Sequence, residues 1–228
     1  HEVLIPDMHA QTDWRAALTG CDAVVHLAAR VHVMHDTSAD PSALYRTTNT
    51  DATLNFARQA AQAGVKRFVF VSSIKVNGEG RDEPYRETDV PVPEDAYAIS
   101  KWEAEQGLWR IAQETGLEVV VLRPPLVYGP GVKANFRRLL DTVARGWPLP
   151  LGAIQNRRSL LYLGNFVDAI RICVEHPAAA GQTFRIDDGR PVSTPELVRA
   201  VAHAIGRPAR LLAVPVAGLE FAGTLLGT

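Results

Sequence analysis

The stretch KRFVFVSS, residues 66–73, runs from two basic residues through alternating aromatic and valine positions to a pair of serines. Aromatic and β-branched side chains in a short apolar run favour a buried strand over a helix. Upstream, LYRTTNTDATLNFARQAAQAG (44–64) has helical patterning and ends on Gly64, the residue type that closes helices in a left-handed conformation. Before that helix lies DAVVHLAA (22–29), whose unbroken apolar character implies a strand covered on both faces. Downstream, AYAISKWEAEQGLWRIAQETG (96–116) reads as a helix closed by Gly116, and EVVVLRP (118–124) as a strand stopped by proline. Strand and helix alternating at this rhythm indicate right-handed crossovers and a doubly wound parallel sheet, an α/β fold.

The outer segments are less regular. EVLI (2–5) is expected as a strand, and QTDWRAAL (11–18) as a short helix with Thr12 or Asp13 near its N-cap. From Pro124 onward proline and glycine become frequent, as in RPPLVYGPG (123–131) and RGWPLPLG (145–152). Residues 1–125 are therefore expected to form one domain and 126–228 a smaller α/β lobe, with a crossing back to the first domain left open. In that lobe FVDAIRICVEHP (166–177) reads as a helix, GQTFRI (181–186) as a strand, and STPELVRAVAHAIG (193–206) as a capped helix. The apolar tail, 211–228, is broken by Pro215 and Glu220 and is short for a bilayer span, so a helix packed on the body is expected.

Composition narrows the function. The 228 residues are 46% hydrophobic and carry a formal net charge of -1, which supplies no positive field for nucleic acid or an anionic membrane. The two cysteines, Cys21 and Cys173, sit in apolar runs and fit reduced thiols in a cytoplasmic protein. No signal peptide is read in HEVLIPDMHAQTDW (1–14). His32 and His35 lack the companions of a metal site and are expected on the surface or in a loop, so no metal is predicted.

Ligands of an open parallel sheet bind beyond the carboxyl ends of its strands. Ala28 and Ala29 follow one such strand and would let a flat ligand approach the backbone, although small residues serve close packing equally well. Ser72 and Ser73 follow another, and serines there can also be turn or cap residues. Tyr97 and Lys101 open the next helix, one turn apart on one face. Any one of these alone is weak. Together, a hydroxyl, a phenol and an ammonium at one sheet edge have a shared rationale. A tyrosine with a pKa of about 10 is a poor base until a cation favours its phenolate, and a serine hydroxyl can hold the substrate oxygen during proton transfer.

DAVVHLAA, TNTDATLNFARQAAQAGVKRFVFVSS (48–73), YAISK (97–101) and LRPPLVYGPG (122–131) occur in an order and spacing that resemble the extended short-chain dehydrogenases/reductases. More narrowly, the chain is similar to the NAD-dependent nucleotide-sugar epimerase/dehydratase family, over nearly its whole length to about residue 200. The resemblance implies a Rossmann-like domain whose first strand–helix–strand unit, with its glycine-rich pyrophosphate turn, is not in this sequence. The sheet would then lack its central strand, and normal NAD binding would need that missing unit.

The resemblance also assigns roles. Ser73, Tyr97 and Lys101 match the catalytic triad, with Tyr97 the acid/base and Lys101 its ribose-binding partner. Asp7 and Met8 match the pair that holds adenine; Leu27, Ala28 and Ala29 match the cofactor-lining turn; Asn49, Ser72 and Pro124 match further cofactor positions. Ser73, Lys75, Asn135 and Arg158 are the substrate-binding candidates, with Arg157 a rival for the diphosphate because guanidinium meets phosphate oxygens bidentately.

The cofactor implied is NAD, with NADP open because the residues that choose between them precede this sequence. Ile74 and Lys75 stand where the family's dehydratases carry Asp-Glu, which argues against dehydration. Asn77 replaces a frequent tyrosine, and Leu126 a frequent asparagine. SSIKVNGE (72–79) with RPPLVYGPGVKANF (123–136) resembles a subgroup linked to surface-polysaccharide sugars. The expected enzyme is thus a UDP-hexose 4-epimerase working through a 4-keto intermediate. The alternatives are a 4-ketoreductase and a non-catalytic dinucleotide-binding sensor or assembly subunit. A homodimer through the helices 43–63 and 96–115 is the family-level expectation.

Overall fold

The computed structural model describes residues 2–5, 7–31, 40–81, 83–86, 88–215 and 217–218. It divides after Pro125 into two units, and residues 166–186 return to the first.

In the first unit, α1 (Arg15–Leu18) leads into β1 (Ala23–His26), and α2 (Pro41–Tyr45) continues through a π-helical stretch, Arg46–Asp51, into α3 (Ala52–Gln62). β2 (Arg67–Val71), α4 (Ala96–Thr115) and β3 (Glu118–Arg123) follow. β4 (Leu126–Tyr128), α5 (Ala134–Ala144) and β5 (Leu160–Tyr162) belong to the second unit, and α6 (Leu163–Glu175) carries the chain back to β6 (Thr183–Arg185). The sheet of the first unit is ordered β1-β2-β3-β6 and is parallel throughout. It is the α/β, Rossmann-like arrangement that the sequence implies.

One face of this sheet explains the helices. Val24, Phe68, Phe70, Val119 and Val121 alternate along three neighbouring strands and pack with Ala57 and Ala60 of α3 and Ala104, Leu108 and Ile111 of α4. Val69, Val120 and Leu122, which alternate with them, are also fully buried. Burial of both faces accounts for the near-continuous apolar runs in β2 and β3. Arg67 ties α6 to the sheet: its guanidinium donates to the carbonyls of Cys173 at 2.7 Å and His176 at 3.1 Å and pairs with Glu118.

Three expectations change. Residues 2–5 form no strand, because a strand exists only through a ladder and none of the described residues pairs with them; Leu4 is 87% exposed. The short helix begins at Arg15 with Trp14 as its N-cap, while Asp13 accepts from the Arg15 N–H at 3.0 Å and Thr12 donates to the Asp7 carbonyl at 2.8 Å. β1 is covered on one face only, with Val25 exposed. His32, His35 and most of the apolar tail lie outside the described residues.

In the second unit β4 pairs in parallel with β5, and Asp188 buckles the pair by accepting from the Tyr162 N–H, the Asn165 amide and, at 3.1 Å, the Tyr128 hydroxyl. α5 packs on α7 (Thr194–Ala204) through Val143, Val198, Val201 and Ala202. A reciprocal Ser193–Glu196 capping box starts α7. Among the described residues, no helix is long and apolar enough to cross a membrane.

Gly107, in the interior of α4, marks the closest approach of α3: a Cβ there would lie 2.5 Å from Leu54 Cδ2. Glycine inside a helix costs roughly 1 kcal/mol relative to alanine, so close packing has to offset it. Gly107→Val is expected to lower stability by about 1–3 kcal/mol in urea denaturation through overpacking. An unchanged or higher midpoint would show that α3 yields freely.

Candidate active site

The carboxyl end of β2 does not stop at the sheet. The Ser72 N–H donates to the Leu122 carbonyl at 2.7 Å and the Ile74 N–H to the Pro124 carbonyl at 3.0 Å, so residues 72–74 run beside the end of β3. Ser73 then caps one 3₁₀ turn, Ile74–Asn77, by accepting from the Lys75 N–H at 3.2 Å. α4 starts nearby with Asp95 as its N-cap, accepting from the Ala98 N–H at 2.6 Å, and this first turn carries Tyr97.

Ser73 acts on Tyr97: its hydroxyl favours the phenolate form. Burial nevertheless holds the Tyr97 pKa above the usual tyrosine value, with the Asp95 carboxylate adding to the rise and the Lys75 ammonium opposing it. The phenol also stands edge-on to Tyr45, ring centroids 6.3 Å apart. In this state Tyr97 is a neutral acid at neutral pH.

One helical turn on, Lys101 is 2% exposed, and its ammonium lies 4.3 Å above the Phe70 ring. Among the described residues it makes no hydrogen bond. Burial lowers its pKa to about 7, against a smaller opposing pull from the Glu105 carboxylate. Phe70 also stacks on His26, which is bonded to Thr53 at 2.8 Å and driven by burial to a pKa of about 3, hence neutral. A buried ammonium with unused N–H donors fits a ligand that brings hydroxyls, as the ribose of a dinucleotide does. Beside it, at the end of β1, Leu27 is 60% exposed and Ala28 is also exposed, an apolar surface that suits a flat ring.

Other candidates are placed differently. Ser72 does not stand at the rim: it is buried and its hydroxyl bonds Glu105, because successive residues of an extended segment face opposite ways. Lys75 is committed to Asp95 at 2.6 Å and to Glu79 rather than held ready for a substrate. Asn49 is buried and pins the main chain of Arg30, accepting from its N–H at 2.8 Å and donating to its carbonyl at 3.0 Å, so it shapes the turn after β1. Pro124 is buried at the end of β3. Asp7 is exposed, whereas Met8 packs against the core. In the second unit Asn135, Arg157 and Arg158 are exposed. Asn135 follows Ala134, whose φ of 54° is unusual for a residue with a Cβ, and Arg158 exchanges both backbone bonds with Val192 at 2.9 Å.

A buried network escaped the sequence reading. Glu105, fully buried, accepts from Arg123 at 2.5 and 3.1 Å as well as from Ser72, and Arg123 reaches Asn77 Oδ1 at 3.1 Å. The available signal was positional: Glu105 lies one turn beyond Lys101, and Arg123 ends an otherwise apolar strand.

Lys101 makes stability depend on pH with a definite sign. Its folded pKa lies below the unfolded value, so the penalty for burying its charge is complete below the folded pKa and fades as pH rises toward the unfolded one. Lys101→Met, which keeps the shape, is expected to raise the thermal midpoint near pH 6, with the gain shrinking toward about pH 10. A gain independent of pH would show that the ammonium is not the cause.

A profile of the NAD dependent epimerase/dehydratase family matches residues 2–187. The chain is 49% identical to a UDP-glucose 4-epimerase of Vibrio cholerae over 226 residues, covering 98% of this chain and 69% of that protein. It is 30% identical to the N-acetyl-alpha-D-glucosaminyl-diphospho-ditrans,octacis-undecaprenol 4-epimerase of Escherichia coli O157:H7, covering 89% of this chain and 60% of that one. A solved structure of MoeE5 in complex with UDP-glucose and NAD superposes with a TM-score of 0.72 at 28% identity, covering 89% of this chain and 68% of that one. The strands, the paired serines and the Tyr97–Lys101 helix thus lie within the match, and the chain belongs to the NAD dependent epimerase/dehydratase family.

Proposed function

We propose that this chain contributes the catalytic Ser73, Tyr97 and Lys101 of a 4-epimerase acting on a UDP-linked hexose, with NAD as cofactor. The observation that carries the reading is the placement of Tyr97, whose phenol Ser73 acts on, one turn before a buried ammonium without a hydrogen-bond partner among the described residues. The 49% identity to a UDP-glucose 4-epimerase supports the choice of sugar position and nucleotide.

NAD, when bound, would supply the acceptor and donor for a hydride at C4 of the sugar. The residues of this chain manage the proton and the oxygen. Tyr97 exchanges a proton with the C4 oxygen, and Ser73 donates to that oxygen so that its lone pair and the phenol stay aligned. Because burial raises the Tyr97 pKa, and Ser73 spends its one proton on the C4 oxygen, removal of a proton by Tyr97 depends on nearby cations to favour the phenolate. Lys101 would donate to the ribose hydroxyls of the dinucleotide, Leu27, Ala28 and Ala29 would line the cofactor, and Pro124 would stand next to its nicotinamide. Asp7 and Met8 would flank adenine. Asn135 and Arg158, or Arg157 in its place, are the residues that would bind a nucleotide diphosphate. Dehydration is not part of this reading, because Ile74 and the ion-paired Lys75 leave no acid directly after Ser73 to protonate a leaving hydroxyl.

Incubation of the full-length protein with UDP-glucose and no added reductant should yield UDP-galactose. Turnover only of a 4-keto sugar with added NAD(P)H would instead make it a ketoreductase. Tyr97→Phe should lower kcat by about 10²–10⁴-fold while calorimetric binding of UDP-glucose persists. Full activity in that variant would remove Tyr97 from the chemistry.

A further inference from the structure

The turn that carries Ser73 and the helix that carries Tyr97 are joined in the interior by the Ser72–Glu105 hydrogen bond. Nearer the surface one ion pair joins them again. The Lys75 ammonium reaches Asp95 Oδ2 at 2.6 Å and also Glu79, while the other oxygen of Asp95 holds the Ala98 N–H at 2.6 Å as the N-cap of α4. At its other end Lys75 donates its own N–H to Ser73 Oγ at 3.2 Å. The side chains of Lys75 and Asp95 are 30% and 32% exposed, so the pair is partly shielded from solvent.

We propose that Lys75 is a positioning residue that clamps the Ser73 turn to the N-cap of α4 and so fixes the Ser73 hydroxyl against the Tyr97 phenol. The inference rests on the reading of Ser73 and Tyr97 as the catalytic pair. It gives this position a role other than substrate binding. The chain of contacts is short: Ser73 to the Lys75 backbone, Lys75 to Asp95, and Asp95 to the first turn of α4, where Tyr97 sits. Each link is direct, so loosening the middle one lets Ser73 shift against the first turn of α4, even though Ser72 stays bonded to Glu105 further along the helix.

Among the described residues, the groups that act on the Tyr97 phenol include Ser73 and Lys75 from the turn after β2, Asp95 from its own helix start, and Tyr45 from α2. Lys75 and Asp95 therefore have two separable effects. Both hold the geometry, but their charges push the phenol in opposite directions. Lys75→Met removes the clamp and a cation. Asp95→Asn removes the clamp and an anion while keeping a side chain that caps helices about as well.

The test uses the full-length enzyme with UDP-glucose, after thermal melting confirms that each variant folds. Both single variants are expected to lose roughly tenfold in kcat with KM changed less, since small misplacement of reacting groups is costly. The pH limb of kcat assigned to Tyr97 should rise in Lys75→Met and fall in Asp95→Asn. The double variant should be no worse than either single one, because the second change removes a contact already broken. Lys75→Arg, which keeps the charge, should recover most of the lost kcat. Wild-type kcat in Lys75→Met, or losses that add in the double variant, would overturn the clamp. Those outcomes remain distinct from failure of the underlying reading, which would appear as full activity in Tyr97→Phe.

Discussion

The register between β2 and β3 constrains everything above the sheet. Val71 pairs with Leu122, and the ladder continues one residue further through the Ser72 N–H to the Leu122 carbonyl. In an extended segment neighbouring side chains face opposite ways, so this register decides which serine does what. Ser72 turns inward to Glu105, and Ser73 turns outward to Tyr97. A slip of one residue would turn Ser73 inward to the carboxylate and away from the Lys75 N–H that it accepts from.

The inward half of this arrangement is a fully buried carboxylate, and burying a charge is costly unless it is paired and hydrogen-bonded. Glu105 meets both conditions through Arg123 and Ser72, and Arg123 spends a further donor on Asn77. The network links three elements: α4, the end of β3 and the turn after β2. Hydrophobic packing could bury the same volume with less desolvation, so the network adds directional constraint rather than much net stability. That constraint falls where it matters, because the turn and the helix it joins also carry Ser73 and Tyr97. Lys75 and Asp95 repeat the connection nearer the surface, so the same two segments are tied together at two depths.

Period and punctuation made most of the first unit legible. β2, β3 and the helices between them follow from apolar runs, glycine closures at Gly64 and Gly116, and proline stops, all of which are local. Ser73, Tyr97 and Lys101 could be singled out as candidates because helical spacing and strand ends place them without knowledge of contacts. What stayed hidden depends on partners distant in sequence. EVLI has the composition of a strand but not the neighbour that makes one. Ser72 and Ser73 are indistinguishable by composition until the register is known. Lys75 reads as an available cation until Asp95, twenty residues on, is brought beside it. Asn49 reads as a cofactor contact until its amide is found on the Arg30 backbone.

Lys101 is the point where fold and function pull apart. A lysine kept almost wholly from water, over an aromatic ring and with no hydrogen bond among the described residues, destabilises the folded chain whenever it is charged. Methionine or leucine would pack there without that cost, so the packing of the core does not explain the ammonium. Tyr97 is the complementary case: burial keeps it neutral, whereas the proposed reaction would have it give up and regain a proton. Both groups are therefore held away from their ordinary titration by the same desolvation, in opposite directions, with the lysine lowered and the tyrosine raised. A ligand that brings hydroxyls to the ammonium restores its charged form, and a charged Lys101 one helical turn from the phenol then favours the phenolate. On the proposed reading, burial leaves Tyr97 neutral and Lys101 only partly charged at neutral pH, and a bound cofactor would complete their working protonation states.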